Sequence, residues 1–198
     1  MEMGIMVLQE ISLNKIMFIN KFTKLYFLML LLITCNDNAS IMIISDSHND
    51  LELNNGILFF GNETFNGTII SRHVNQAMKS EIQYLNGKKN GFERHWYKNH
   101  TLAIDRTYHN GLKVGIHQGF WKNGKKKFIY HFNDQGAYEG SVKEWFRTGQ
   151  LLRCFNYVNG RESGKQQMWL ETGKLRANYE VIDDERYGLI GLKKCYQL

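Results

Sequence analysis

The chain has 198 residues, no proline, 18 glycines and 43% apolar content, which excludes a disordered polar tract and allows a single domain. Its net charge is +6, and it stays at +5 when residues 1–34 are set aside, because these carry Lys15, Lys21 and Lys24 against Glu2 and Glu10. The charge is spread along the chain with no run of five basic residues, so it reads as a solvated surface, and no nucleic acid is expected as a partner.

The first element is an export signal. Residues 17–35 run from a leader containing Lys21 and Lys24 into an apolar stretch, Leu25 to Ile33. That stretch is far shorter than the roughly 20 residues a helix needs to cross a bilayer, so residues 1–34 are read as a signal peptide. Met17 is a candidate true start, because the preceding residues contain acids that such signals avoid. The stretch ends Leu32-Ile33-Thr34-Cys35, which resembles a lipoprotein box and points to lipidation at Cys35. A plain signal peptide or an uncleaved anchor is the alternative. An acylated Cys35 would tether the chain to a membrane face of the cell envelope, with residues 35–50 as linker.

Within that linker, residues 42–50, Met-Ile-Ile-Ser-Asp-Ser-His-Asn-Asp, resemble the first metal motif of calcineurin-type phosphoesterases, with Asp46 and His48 as ligands. The remaining ligand motifs of that chemistry are missing from the chain. A polar linker or an initial strand is the favoured reading, and no metal or cofactor is expected. Leu51-Glu52-Leu53 and Ile57-Leu58-Phe59-Phe60 then form a leading hairpin, expected to cover the first edge of a repeat array.

From Gly67 onward the sequence repeats. Glycines recur at 67, 91, 115, 140, 164 and 188, at steps of 24, 24, 25, 24 and 24 residues. Five residues after the four central ones, Gly91, Gly115, Gly140 and Gly164, come Trp96, Phe120, Trp145 and Trp169. Four residues before them stand Gly87, Gly111, Gly136 and Gly160, and nine after are His100, Gly124, Gly149 and Gly173. A short constant period signals an array of small stacked units. In the second half of each unit one set of alternate residues is largely apolar, as in Met78, Ser80, Ile82 and Tyr84, and the set between them polar, as in Lys79, Glu81 and Gln83, the pattern of a strand with one buried face. The first half, such as Phe92 to Tyr97, is too short for a helix and reads as the partner strand. Asn123-Gly124 and Thr148-Gly149 are expected to make the tight turns, and Gly140 a turn between hairpins, where glycine supplies positive φ. The expected fold is all-β: an elongated single-layer antiparallel sheet of stacked β-hairpins of about 24 residues, spanning 51–198 with capping half units. The tryptophan ladder is assigned mainly a structural role, with a ligand platform as the alternative.

The spacing Tyr-x-Asn-Gly-x3-Gly-x4-Trp-x3-Gly resembles the MORN-type repeat, in the short bacterial variant of YwqK-type antitoxins. That resemblance covers residues 51–198 and implies a protein-binding role, with a toxin as partner. Tyr97, Trp121 and Phe146, beside the tryptophan ladder, are the candidate partner-binding anchors, since aromatic residues dominate interface energetics. An anionic membrane surface is the alternative partner, suited to the basic charge and the lipid. Cys154 and Cys195 fall about three strand spacings apart, roughly 14 Å, too far for a bridge. The histidines occupy changing repeat positions, and no nucleophile, base and orienting group recur together, so no catalytic residue is assigned and the chain reads as a non-enzyme.

Overall fold

The computed structural model describes residues 42–191. Met17, the apolar stretch, Cys35 and Cys195 lie outside them. The described residues contain no helix and sixteen strands. These are β1 (Met42–Ser45), β2 (Leu51–Asn54), β3 (Ile57–Phe60), β4 (Glu63–Thr64), β5 (Gly67–Arg72), β6 (Met78–Leu85), β7 (Lys88–Trp96) and β8 (Leu102–His109). The series continues with β9 (Leu112–Phe120), β10 (Lys126–Phe132), β11 (Gly140–Trp145), β12 (Leu151–Val158), β13 (Arg161–Glu162), β14 (Gly164–Trp169), β15 (Leu175–Ile182) and β16 (Glu185–Leu189). From β5 to β16 each strand pairs antiparallel with its neighbour in sequence, β13 and β14 both joining β12, and the sheet does not close on itself. This is the expected elongated all-β sheet of consecutive hairpins.

One face of the sheet carries the buried rows. Pairing sets Gly91 opposite Tyr108, Glu93 opposite Arg106 and His95 opposite Ile104, and the next unit repeats this with Gly115 and Phe132, His117 and Tyr130, Gly119 and Phe128. Directly paired residues share a face, so the alternating apolar positions of the second strands line up across the array. Tyr108, Phe128, Phe132, Phe155 and Tyr179 are all buried there. The tryptophan ladder lies elsewhere. Trp96, Trp145 and Trp169 follow a bulge at the end of their strands, opposite Leu102, Leu151 and Leu175, and are only half-buried.

The structure moves the turns. The tight connections are two-residue turns with both φ positive: Asn86-Gly87 at 50° and 72°, Asn110-Gly111 at 48° and 83°, Asn159-Gly160 at 48° and 81°. Such values match type I′, whose twist fits a hairpin and which asparagine and glycine tolerate best. Asn123-Gly124 and Thr148-Gly149 instead sit in five-residue connections at the opposite edge, closed by bonds such as Trp121 N–H to Lys125 O and Gly124 N–H to Trp121 O. His100, standing where the other units have glycine, holds the same positive φ of 66°.

Gly140, with the other reference glycines, is not a turn residue. The Asn-Gly pairs turn the chain earlier, leaving the reference glycine inside or at the start of a strand. At the four central ones, Gly91, Gly115, Gly140 and Gly164, it absorbs a register shift: Ile82 faces Glu93 but Tyr84 faces Lys89, with Gly91 between at φ 101°. These are β-bulges, where an extra residue kinks one strand. The single 25-residue step has a local cause. Between β10 and β11 a five-residue connection, Asn133–Ala137, replaces the two-residue turn and sets Tyr138 against Phe132.

The first edge also departs from expectation. Met42–Ser45, read as linker or initial strand, pairs in parallel with β5 as the edge strand. A parallel connection needs a long crossover, and the β2-β3-β4 hairpins supply it. They pack Leu58 and Phe65 over Ile69, with Ile44, Leu51, Phe60 and Tyr84 around them. Leu58 N–H donates to Gly87 O and Gly87 N–H to Phe65 O, so the small sheet caps the first unit's turn and face instead of the sheet edge.

Candidate binding face

The buried rows end in polar heads. Glu93, only 4% exposed, lies 2.9 Å from Lys89 Nζ, 2.8 Å from His95 Nε2 and 3.9 Å from an Arg106 nitrogen. Burial alone would raise its pKa, but the His95, Lys89 and Tyr108 donors and the Lys89 charge hold it far below the ordinary carboxylate range. Tyr108 answers in the opposite sense, pushed up to about 12 by burial and by the Glu93 carboxylate it serves. Two units on, Tyr130 OH and Arg153 Nη2 both donate to Glu144 Oε1, the guanidinium at 2.6 Å. Burial and that carboxylate raise the Tyr130 pKa well above the usual phenol value.

Between these networks runs a continuous aromatic strip. Phe128 and Tyr130 stack at 4.5 Å, Tyr130 meets Tyr138 edge-on at 5.7 Å, Phe132 stacks on Tyr138 at 4.7 Å, and Tyr138 meets Tyr157 at 5.2 Å. Tyr130, Tyr138, Arg153 and Tyr157 are half-buried, with no second layer over them. Half-exposed Tyr and Arg in packed surroundings are the residue types that anchor protein interfaces. Tyr138 exists in this strip because of the one longer unit, which the sequence showed only as a 25-residue step.

The residues singled out as anchors have another employment. Tyr97 OH donates to Phe120 O at 3.0 Å and Trp121 Nε1 to Trp145 O at 3.1 Å, each tying its unit to the next. His73 Nε2 does the same to Trp96 O at 2.9 Å. Phe146 occupies the equivalent place without a donor. All are half-buried at the edge formed by the five-residue turns. Beside them a second ladder runs from Asn75 to Lys98 O, Asn99 to Lys122 O and Asn123 to Arg147 O.

The same edge concentrates charge. The stretches 72–79, 96–103, 120–127, 145–152 and 169–176 hold ten Lys and Arg and one acid, Glu171, a surplus of +9 against +6 for the whole chain. Successive turns are two strands apart, about 10 Å, and Lys126 and Lys127 lie over the Phe120 and Trp121 rings at 4.4 and 4.7 Å. The even scatter of charge along the sequence conceals this, because the repeat gathers it onto one edge.

Asp46 and His48 sit on an exposed turn, where His48 rests on Phe60 at 5.0 Å and pairs with Asp50 at 3.7 Å. Among the described residues no group of three or more His, Cys, Asp or Glu is placed to hold a metal. Cys154 is half-buried on β12. The sequence matches no family model and no curated protein.

Proposed function

We propose that this chain is an exported, non-catalytic binding module, held at the envelope membrane through lipid on Cys35, that captures a protein partner by occlusion. The resemblance to YwqK-type antitoxins makes a toxin the partner to test first. The observation that carries the reading is the half-exposed Tyr130–Tyr138–Tyr157 strip with Arg153 on an uncovered sheet face. Capture from envelope extract by residues 36–198 tests it. A specific partner held by the parent should be lost with Tyr138→Ala, while Tyr97→Phe, which alters a tie between repeats, should retain it. Equal retention by both variants would refute this face as the binding surface.

The cation-rich turn edge favours a second reading, a scaffold lying against an anionic membrane. Exposed cations on a flat array bind acidic lipid through long-range attraction that salt screens. Residues 36–198 should then bind anionic vesicles at low ionic strength and release at high ionic strength. Failure to bind anionic vesicles at low salt would eliminate the scaffold reading and leave the protein-partner reading standing.

A further inference from the structure

The charge gathered at the five-residue turns has a period of its own. Seven residues after Gly67, Gly91, Gly115, Gly140 and Gly164 stand Val74, Lys98, Lys122, Arg147 and Glu171, so three consecutive units carry a cation at one turn position and the units on either side do not. Asparagines fix that position from unit to unit: the side-chain amides of Asn75, Asn99 and Asn123 donate to the main-chain oxygens of Lys98, Lys122 and Arg147 at 3.3, 3.3 and 3.2 Å. Equivalent bonds hold equivalent turns, and successive turns lie two strands apart, so the three cations form a column with a step of about 10 Å. All three are exposed, and none makes an ion pair among the described residues. The lysines beside them are engaged instead: Lys125 Nζ donates to Thr148 O, Lys126 Nζ donates to Gln118 Oε1, and Lys127 lies over the Trp121 ring.

A fixed step selects a ligand whose own charges have a fixed spacing. Lipid headgroups move laterally and make no demand on it. A nucleic-acid strand carries a phosphate about every 3.4 Å along a duplex and would leave most of its charges without a partner. Alternate residues of an extended peptide lie about 7 Å apart and fall out of step. A glycan with one carboxylate per disaccharide advances about 10 Å between charges, which equals two strand spacings. Each cation also follows a half-buried ring, Tyr97, Trp121 or Phe146, which offers an apolar surface to the sugar between two charges. We propose that this edge binds an extended acidic glycan of that kind, with three consecutive carboxylates paired to Lys98, Lys122 and Arg147. The site lies at the turn edge and not on the aromatic face, so it stands or falls separately from the protein-partner reading.

The probe is a hyaluronan hexasaccharide, whose three carboxylates stand one disaccharide apart, titrated onto the full chain by ligand-observed NMR beside trigalacturonate, which carries three on adjacent sugars, and neutral chitotriose. The hexasaccharide should saturate with a Kd of about 1 mM or tighter, trigalacturonate should bind about tenfold more weakly, and chitotriose should not saturate. Lys122→Gln should weaken the hexasaccharide about fivefold and, being an exposed turn residue, leave the thermal midpoint unchanged. Lys143→Gln removes the same charge from the middle of β11 and should bind as the parent does. Glu171→Lys should lengthen the column by one unit, so that variant should hold an octasaccharide with four carboxylates about fivefold more tightly than the hexasaccharide. Equal binding of the hexasaccharide and trigalacturonate, equal losses from Lys122→Gln and Lys143→Gln, or no gain from Glu171→Lys would reduce the edge to unspecific charge and overturn the proposal. Failure of the hexasaccharide to saturate would also overturn it, and binding of the same protein to anionic vesicles would then assign the edge to the membrane.

Discussion

The ties between repeats can be tested by completing the ladder. His73, Tyr97 and Trp121 each donate from the same repeat position to the main-chain oxygen of the next unit's aromatic residue, at 2.9, 3.0 and 3.1 Å. Phe146 stands at that position in the following unit with no donor, and the matching acceptor would be Trp169 O. Phe146→Tyr adds one hydroxyl where the geometry of the other units would use it. A net hydrogen bond contributes about 0.5–1.5 kcal/mol, and for a chain of this size each kcal/mol raises the midpoint by about 2–4 °C. The variant should therefore melt about 1–6 °C higher. Tyr97→Phe removes the same bond and should lower the midpoint by a similar amount. Because the two changes act at different junctions, the double variant should show their sum. Calorimetry of residues 36–198 measures all three. A Phe146→Tyr protein no more stable than the parent, together with a costless Tyr97→Phe, would show that these contacts do not couple the units, and Tyr97 and Trp121 would again be open to a binding role.

Acid should act through His117, which is 1% exposed and sits against Phe132 at 4.6 Å. Burial, opposed by its bond to Thr107 O, holds its pKa below the ordinary value. The unfolded chain then takes up a proton below about pH 6.5 that the folded chain refuses, so stability is intact above that pH and falls as pH drops. His117→Gln, copying Gln166 at the same repeat position, should flatten that fall, and an unchanged urea-midpoint profile would count against it. Glu93, with its pKa depressed, adds a second loss below about pH 4.3, which Glu93→Gln should abolish in the same measurement. Gly140 has a φ of 76° and open space around it, so Gly140→Val should cost only backbone strain, about 1–3 kcal/mol. Its denaturant melt should broaden as 51–139 and 141–198 uncouple, and a parent-like slope would disprove that coupling. Gly119 needs no special φ, but an added Cβ would lie 2.2 Å from the Phe128 ring. Gly119→Ala should therefore be destabilising, and Phe128→Leu in the same chain should recover part of the loss.

What the sequence made legible was geometry that recurs residue for residue. Glycine recurs at each reference position because the backbone there takes positive φ, and at Gly91 a Cβ would also lie 2.0 Å from Gln83 Oε1. The alternating apolar rows survive because each unit buries the same face. The Asn-Gly turns were visible as a glycine ladder, but their partner ladder at Gly124, Gly149 and Gly173 suggested turns as strongly, and spacing alone does not separate a two-residue from a five-residue connection. The candidate face was less legible, since Glu144–Arg153 and the Tyr138 strip arise from cross-strand registry and from one irregular unit.

The plugs that seal the bulges explain why an array with such regular glycines carries such irregular polar residues. A register shift leaves main-chain groups of the facing strand without ladder partners, and buried groups of that kind must be satisfied. Gln166 accepts from Asn156 N–H and donates to Asn156 O, while His117 Nε2 donates to Thr107 O at the equivalent place. From the other side, Gln83 accepts from Phe92 N–H, the His131 ring bonds Ser141 O, and Asn156 donates to Lys165 O. Gln, His and Asn solve one problem with different atoms, so the location repeats while the residue does not. Within this chain such positions share hydrogen-bonding capacity and shape, and a comparison of identical residues between repeats passes over them. This places the acid sensitivity of the array in His117, a buried residue whose repeat-mates are not histidines.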